Sequence, residues 1–119
     1  MTTPTSEIAA PAFQVLKRAQ IVRSRTNPRT HFDAAYITEM GKSLKAHGFL
    51  QPILVRPLPA ARLQETFEDR MPGEPLPTHE IVCGERRYRA ALRAGLESVP
   101  VVVRVLDDRE ALEAAVSEN

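Results

Sequence analysis

The stretch VCGERRYRAALRAG, Val82 to Gly95, sets four arginines (Arg86, Arg87, Arg89 and Arg93) beside a single glutamate, Glu85. Guanidinium groups at that density favour phosphate or carboxylate partners, because each carries a planar fork of N–H donors that matches two oxygens at once. The residues before them add to this. A β-rich run, THEIVC, leads into Gly84 and a helix-forming run follows, so the N–H groups of a helix start would lie next to a residue without a Cβ. Helix dipole and guanidinium charge then act in the same direction on an anion, and the arrangement reads as a phosphate seat. The competing reading is a plain solvated helix face. Placed at intervals of roughly 100°, Tyr88, Ala91, Leu92 and Gly95 fall on one side, Arg86, Arg89 and Arg93 on the other, and Arg87 at the flank.

Other groups capable of chemistry are dispersed. Cys83 precedes Gly84 and reads either as a packed apolar residue or as a thiol acidified by nearby arginines. A metal-dependent nuclease would need several acidic or histidine ligands to converge, and Asp33, Glu39, His47, His79 and Glu80 lie in different elements with no spacing that brings them together. His31, His47 and His79 each read as surface or loop residues.

The elements that must position these groups follow from periodicity. FQVLKRAQIV, Phe13 to Val22, alternates like a half-buried strand that runs into a turn, and Asn27-Pro28 marks another turn. Ile37, Met40 and Leu44 recur at helical spacing, which predicts a helix from Ala34 to His47, capped by Asp33 and ended by Gly48. QPILVRP and THEIVCG are strand-like and could pair as a long hairpin. Between them, residues 57–78 are rich in proline and predict an extended insertion with at most a short helical piece at Ala60 to Asp69. SVPVVVRVL, Ser98 to Leu106, is dense in β-branched residues and predicts a strand; Asp107 or Asp108 then caps a last helix. The expected class is α+β, a small mixed sheet flanked by helices.

Composition bounds the rest. The chain has 119 residues, 43% of them hydrophobic, which suits one modest domain: a flexible tail at 1–12 and a folded unit at 13–119. With 16 basic and 15 acidic residues the formal net charge is +1, so attraction to phosphate must come from local clustering. One cysteine allows no internal disulfide, and no apolar run reaches the roughly 18 residues of a membrane span. The expectation is a soluble, cytoplasmic protein. The helical pattern still runs at Asn119, which suggests a piece of something longer.

The succession NPR…FD, SLKAHGFLQPILVR, EIVCGERRYRAALRAGLESVPVVVRVLDD, EAL and EN resembles the N-terminal domain of ParB-type partition proteins, also called the ParB-like nuclease or sulfiredoxin-like fold. GERRYRAA and HGFLQPILVR match that family's boxes in the family's order, and the likeness covers Phe13 to Asn119. It implies a nucleotide switch that binds CTP with Mg²⁺ and closes around centromere-like DNA. Carried over, Gly84, Glu85, Arg86 and Arg87 match the triphosphate motif, and Gln51, Pro52, Ile53, Val55 and Arg56 the strand along base and sugar. Glu118 and Asn119 match the start of a metal-positioning box, and a carboxylate and an amide oxygen are suitable hard ligands for Mg²⁺. Non-specific DNA contact falls to Arg89, Arg93 and Lys45. The implied partners are DNA, chiefly through a helix-turn-helix outside this chain, a nucleotide-dependent homodimer and a ParA-type ATPase, at the nucleoid or on a plasmid.

Three departures qualify the match: NPRTHFD is shorter than the family's turn, the 57–78 insertion is longer, and the metal box stops after two residues. Three alternatives stay open. One is an enzyme, a DNA nuclease or a weak CTP hydrolase. Another is redox chemistry at Cys83, because sulfiredoxin places a cysteine at this strand-to-helix junction. The third is a DNA- or protein-binding module without a switch.

Overall fold

A computed structural model describes residues 12–24, 31–69, 72, 73 and 75–118. Residues 1–11 of the tail expected at 1–12, the Asn27-Pro28 turn, Arg29 and Asn119 lie outside the described residues. The elements run β1 (Ala12–Lys17), a 3-10 turn (Arg18–Gln20), β2 (Ile21–Val22), α1 (Ala34–His47), β3 (Ile53–Pro57), α2 (Ala60–Asp69), β4 (His79–Cys83), α3 (Glu85–Arg93), β5 (Ser98–Val103) and α4 (Asp108–Glu118). The strands form one sheet in the order β1-β5-β3-β4-β2. It is mixed, as the sequence predicts: β1/β5 and β3/β4 pair antiparallel, β3/β5 and β2/β4 parallel.

Local chemistry sets several boundaries. The Asp33 carboxylate accepts from the Ala35 and Tyr36 N–H groups and so caps α1, while Gly48, at φ 80°, ends it with its N–H on the Leu44 carbonyl. Before α4, Asp107 accepts from the Glu110 N–H and the Glu110 carboxylate from the Asp107 N–H, a reciprocal capping box. One difference from the sequence reading is that β1 begins at Ala12, inside the expected tail. The short helical piece expected at Ala60 to Asp69 forms as α2, 10 residues long.

One face of the sheet makes the core. Ile53, Val55, Ile81, Val99 and Val101 are sealed in and pack with Ile37 and Leu44 of α1 and with Tyr88, Ala90 and Ala91 of α3. Full burial of each large side chain is worth about 1.5–3 kcal/mol, so this layer fixes where α3 begins. The two helices cross closely at Gly41, where a Cβ would stand 2.9 Å from the Ala90 carbonyl oxygen. That crossing also buries Ala90, which the wheel had not assigned to the apolar side.

The other face carries α4, whose Ala111 and Ala115 are buried. A register shift between Leu54 and Val55 pairs them with Cys83 and Ile81, so Val82 is an extra residue in β4. The bulge breaks the alternation of β4. Ile81 faces the core, whereas the Cys83 Sγ lies 3.5 Å from the Ala114 carbonyl oxygen of α4. On the same face Arg56, 3% exposed, meets Glu80, also 3% exposed. Arg56 donates to the Glu80 carboxylate, the Asp108 carboxylate and the Leu106 carbonyl, and Arg62 of α2 donates to the second Glu80 oxygen. Burial alone would lower the Arg56 pKa, but the hydrogen bonds to Asp108 and Glu80 outweigh it and hold the guanidinium above its ordinary value.

Candidate functional site

Gly84 is the pivot between β4 and α3. Its φ of 101° lies in the left-handed region, and a Cβ there would stand 3.4 Å from the Ile53 side chain. As N-cap of α3 it offers no side chain to the helix, unlike Asp33 at α1. Of these two helix starts, α1 is capped by a carboxylate and α3 has no side-chain cap.

The arginines that follow divide by their partners. The Arg87 Nη1 donates to the carbonyls of Gln51 (3.1 Å) and Pro52 (2.9 Å), which bolts the start of α3 to the entry of β3. The Arg86 guanidinium lies over the Tyr36 ring, 5.0 Å from its centroid, and among the described residues it has no oxygen acceptor. Arg89 stacks on Phe32 at 4.0 Å and directs Nε and Nη2 to one oxygen of Glu85, at 3.2 and 3.0 Å. Arg93 donates to the Thr38 hydroxyl at 2.8 Å. None of these four is merely solvated.

Gln51, Pro52, Gly84, Arg86 and Arg87 therefore meet at one corner of the domain, beside Tyr36 in the first turn of α1. The remaining expected residues are placed differently. Glu85 is buried and paired with Arg89, so its carboxylate faces along α3. Ile53 and Val55 are sealed core residues, and Arg56 is committed to the ion cluster on the opposite face of the sheet, so none presents a side chain at this corner. Arg93 and Lys45 do line one groove, of about 340 Å³, with Thr38, Gly41, Lys42 and Ala94. Arg89 and Arg93 line the cleft beside it, with Arg23, Phe32 and Leu92. Glu118 is the last residue of α4, its side chain outside the described set together with Asn119.

Four of the dispersed acids and histidines have other partners. Asp33 caps α1, Glu39 pairs with Lys42, Glu80 sits between Arg56 and Arg62, and His79 Nδ1 contacts the Thr78 hydroxyl at 2.7 Å. Among the described residues no three His, Cys, Asp or Glu side chains could hold a metal ion together, and no helix is long and apolar enough to cross a membrane. Sequence reasoning missed Tyr36, Phe32, Thr38 and the Arg56 cluster. Only the four-residue spacing of Phe32 and Tyr36 hinted at them, as adjacent aromatics at the head of a helix.

The ParB N-terminal domain model matches residues 3–119. The chain belongs to the ParB N-terminal domain family. A probable chromosome 2-partitioning protein ParB of Deinococcus radiodurans is 39% identical over 117 residues, 98% of this chain and 34% of that protein. The chromosome-partitioning protein Spo0J of Thermus thermophilus is 43% identical over 104 residues, 87% of this chain and 32% of that protein. The chain thus spans about a third of the length of these relatives. Among solved structures, C-terminally truncated ParB of Caulobacter crescentus complexed with CTP-γ-S is 38% identical, with a TM-score of 0.72 over 91% of this chain and 52% of that one. The same protein complexed to the centromeric parS site matches with a TM-score of 0.64 at 39% identity, over 89% of this chain and 46% of that one. Sulfiredoxin of Arabidopsis thaliana, 21% identical, shares the fold with a TM-score of 0.57, over 88% of this chain and 97% of that one. The family and the sulfiredoxin-like fold inferred from GERRYRAA and QPILVR are thereby established.

Proposed function

We propose that this ParB N-terminal domain is a CTP-binding switch of a DNA-partition protein, with the triphosphate seated at Gly84 and the start of α3. The observation that carries the reading is Arg86, a guanidinium without an oxygen acceptor among the described residues, standing next to a helix start that has no capping side chain. An anion there receives backbone N–H donors, the helix dipole and a charged fork together. Arg87 holds Gln51 and Pro52 at the same corner through its carbonyl contacts, so the QPILVR segment would meet base and sugar through Gln51, Pro52 and main-chain groups. Likeness to a ParB solved with CTP-γ-S supports the choice of nucleotide. Glu118, the last residue of α4, and Asn119, the next in sequence, are the residues that would hold a Mg²⁺ ion, whose role is to neutralise phosphate charge. Bound nucleotide would favour association of two protomers. Arg89, Arg93 and Lys45 would add weak, salt-sensitive contact to DNA, the ligand of the relative solved on its parS site.

The test is isothermal titration with CTP, ATP, GTP and UTP, with and without Mg²⁺, on the wild-type chain and on Arg86→Ala and Arg87→Ala. CTP-selective binding is expected, weakened by roughly tenfold to a hundredfold in Arg86→Ala, the scale of one charge-assisted contact. Arg87→Ala should also lower the melting temperature, because its carbonyl contacts are structural as well. Wild-type chain that binds none of the four nucleotides refutes the proposal.

A further inference from the structure

Arg86 and Arg89 each lie over an aromatic ring at or just before the α1 start, yet only one of them has its donors occupied. Phe32 lies just before the Asp33 cap and Tyr36 in the first turn of α1, Arg86 and Arg89 are one turn apart on α3, and the pairs Arg86–Tyr36 and Arg89–Phe32 join α3 to the start of α1. Arg89 spends its Nε and Nη2 on the Glu85 carboxylate. Arg86 sits at the second position of α3, beside Gly84, and among the described residues nothing accepts from its edge. A ring engages the face of a guanidinium and leaves the in-plane N–H groups untouched. Stacking can therefore fix where this arginine points without consuming what it points with. Tyr36 is 49% exposed, so it contributes little to the core and is not held in place by it. Its own N–H is tied to the Asp33 cap, which fixes the backbone from which the ring projects.

We infer that Tyr36 is the positioning residue of the phosphate site: its ring holds the Arg86 guanidinium face-on, so that the free edge meets phosphate oxygens at the start of α3. The inference rests on the nucleotide reading above and names a residue for it outside the GERR and QPILVR boxes. Preorganisation of this kind appears as affinity, because a pinned long side chain has less rotamer freedom left to lose on binding.

The experiment compares wild type, Tyr36→Phe, Tyr36→Leu, Arg86→Ala and the double variant Tyr36→Leu/Arg86→Ala. Titration with CTP and with cytidine is combined with NMR of the Arg86 Nε–H resonance during addition of inorganic triphosphate. Tyr36→Phe should retain affinity because the ring face remains. Tyr36→Leu should lose about two- to fivefold for CTP, the scale of an exposed cation–π contact, with no loss for cytidine and no further loss in the Arg86→Ala background. The Nε–H resonance should be ring-shifted in wild type and Tyr36→Phe only, and triphosphate should move it in both. Equal affinity of Phe and Leu variants, an equal loss for cytidine, or an undiminished effect in the Arg86→Ala background would overturn the role of Tyr36. If wild type binds no CTP, the nucleotide reading fails by itself. The triphosphate titration then decides Tyr36, with an unmoved Arg86 resonance counting against it.

Discussion

Changing Glu80 to glutamine keeps the volume of the side chain and removes its charge. The carboxylate is 3% exposed and serves two guanidiniums: Arg56 reaches one oxygen with Nε at 2.9 Å and Nη2 at 2.7 Å, and Arg62 reaches the other at 3.1 Å. Without it Arg56, whose side chain is 4% exposed, keeps among the described residues the Leu106 carbonyl and Asp108, a partner 83% exposed to water. Removing one partner of a buried ion pair usually costs about 3–5 kcal/mol, because the remaining charge stays desolvated. For a domain with roughly 5–15 kcal/mol of total stability, that is a large share, equivalent to a fall of about 10–20 °C in melting temperature. Thermal and urea unfolding of Glu80→Gln should show it, with the urea slope unchanged. The double change Arg56→Met with Glu80→Leu should cost less than Glu80→Gln alone, since an apolar pair leaves no orphaned charge between the strands. A loss below about 1 kcal/mol in Glu80→Gln, the scale of an exposed pair, would refute the reasoning.

Gly41→Ala opposes helix propensity to packing. Propensity favours alanine inside α1 by about 1 kcal/mol, but the new Cβ would stand 2.9 Å from the Ala90 carbonyl oxygen, and overpacking costs about 1–3 kcal/mol. A lower melting point is expected, and a higher one would mean that α1 and α3 separate freely. Burial lowers the His79 pKa from its ordinary 6.5, so the unfolded chain takes up the extra proton first. Stability from this group is fully present above pH 6.5 and is lost as pH falls toward the depressed folded-state pKa. Urea midpoints between about pH 7 and pH 5 should fall less steeply in His79→Gln than in wild type, and equal slopes would count against the assignment.

What the sequence determined by itself was local or linear. Asp33 and Gly48 bound α1 because a carboxylate cap and a left-handed glycine act within a turn of their own position. Gly84 announces the strand-to-helix pivot for the same reason, and the family boxes are strings that need no coordinates. Even the hairpin of β3 and β4 was visible, as two β-rich runs flanking one insertion. Tertiary structure decided which side of each element mattered. The extra residue Val82 turns Cys83 toward α4, and no periodicity shows a bulge in advance. Arg56, read as lining a base, is drawn into the opposite face because Glu80, 24 residues away, offers a buried carboxylate there. Glu85 and Arg89 neutralise each other, and the close crossing at Gly41 brings Tyr36 within reach of Arg86. Sequence sets Arg87 at the flank of the helix and leaves Arg86, Arg89 and Arg93 alike on one side. Packing separates them: among the described residues Arg89 has a carboxylate, Arg87 two carbonyls, Arg93 a hydroxyl and Arg86 an aromatic ring.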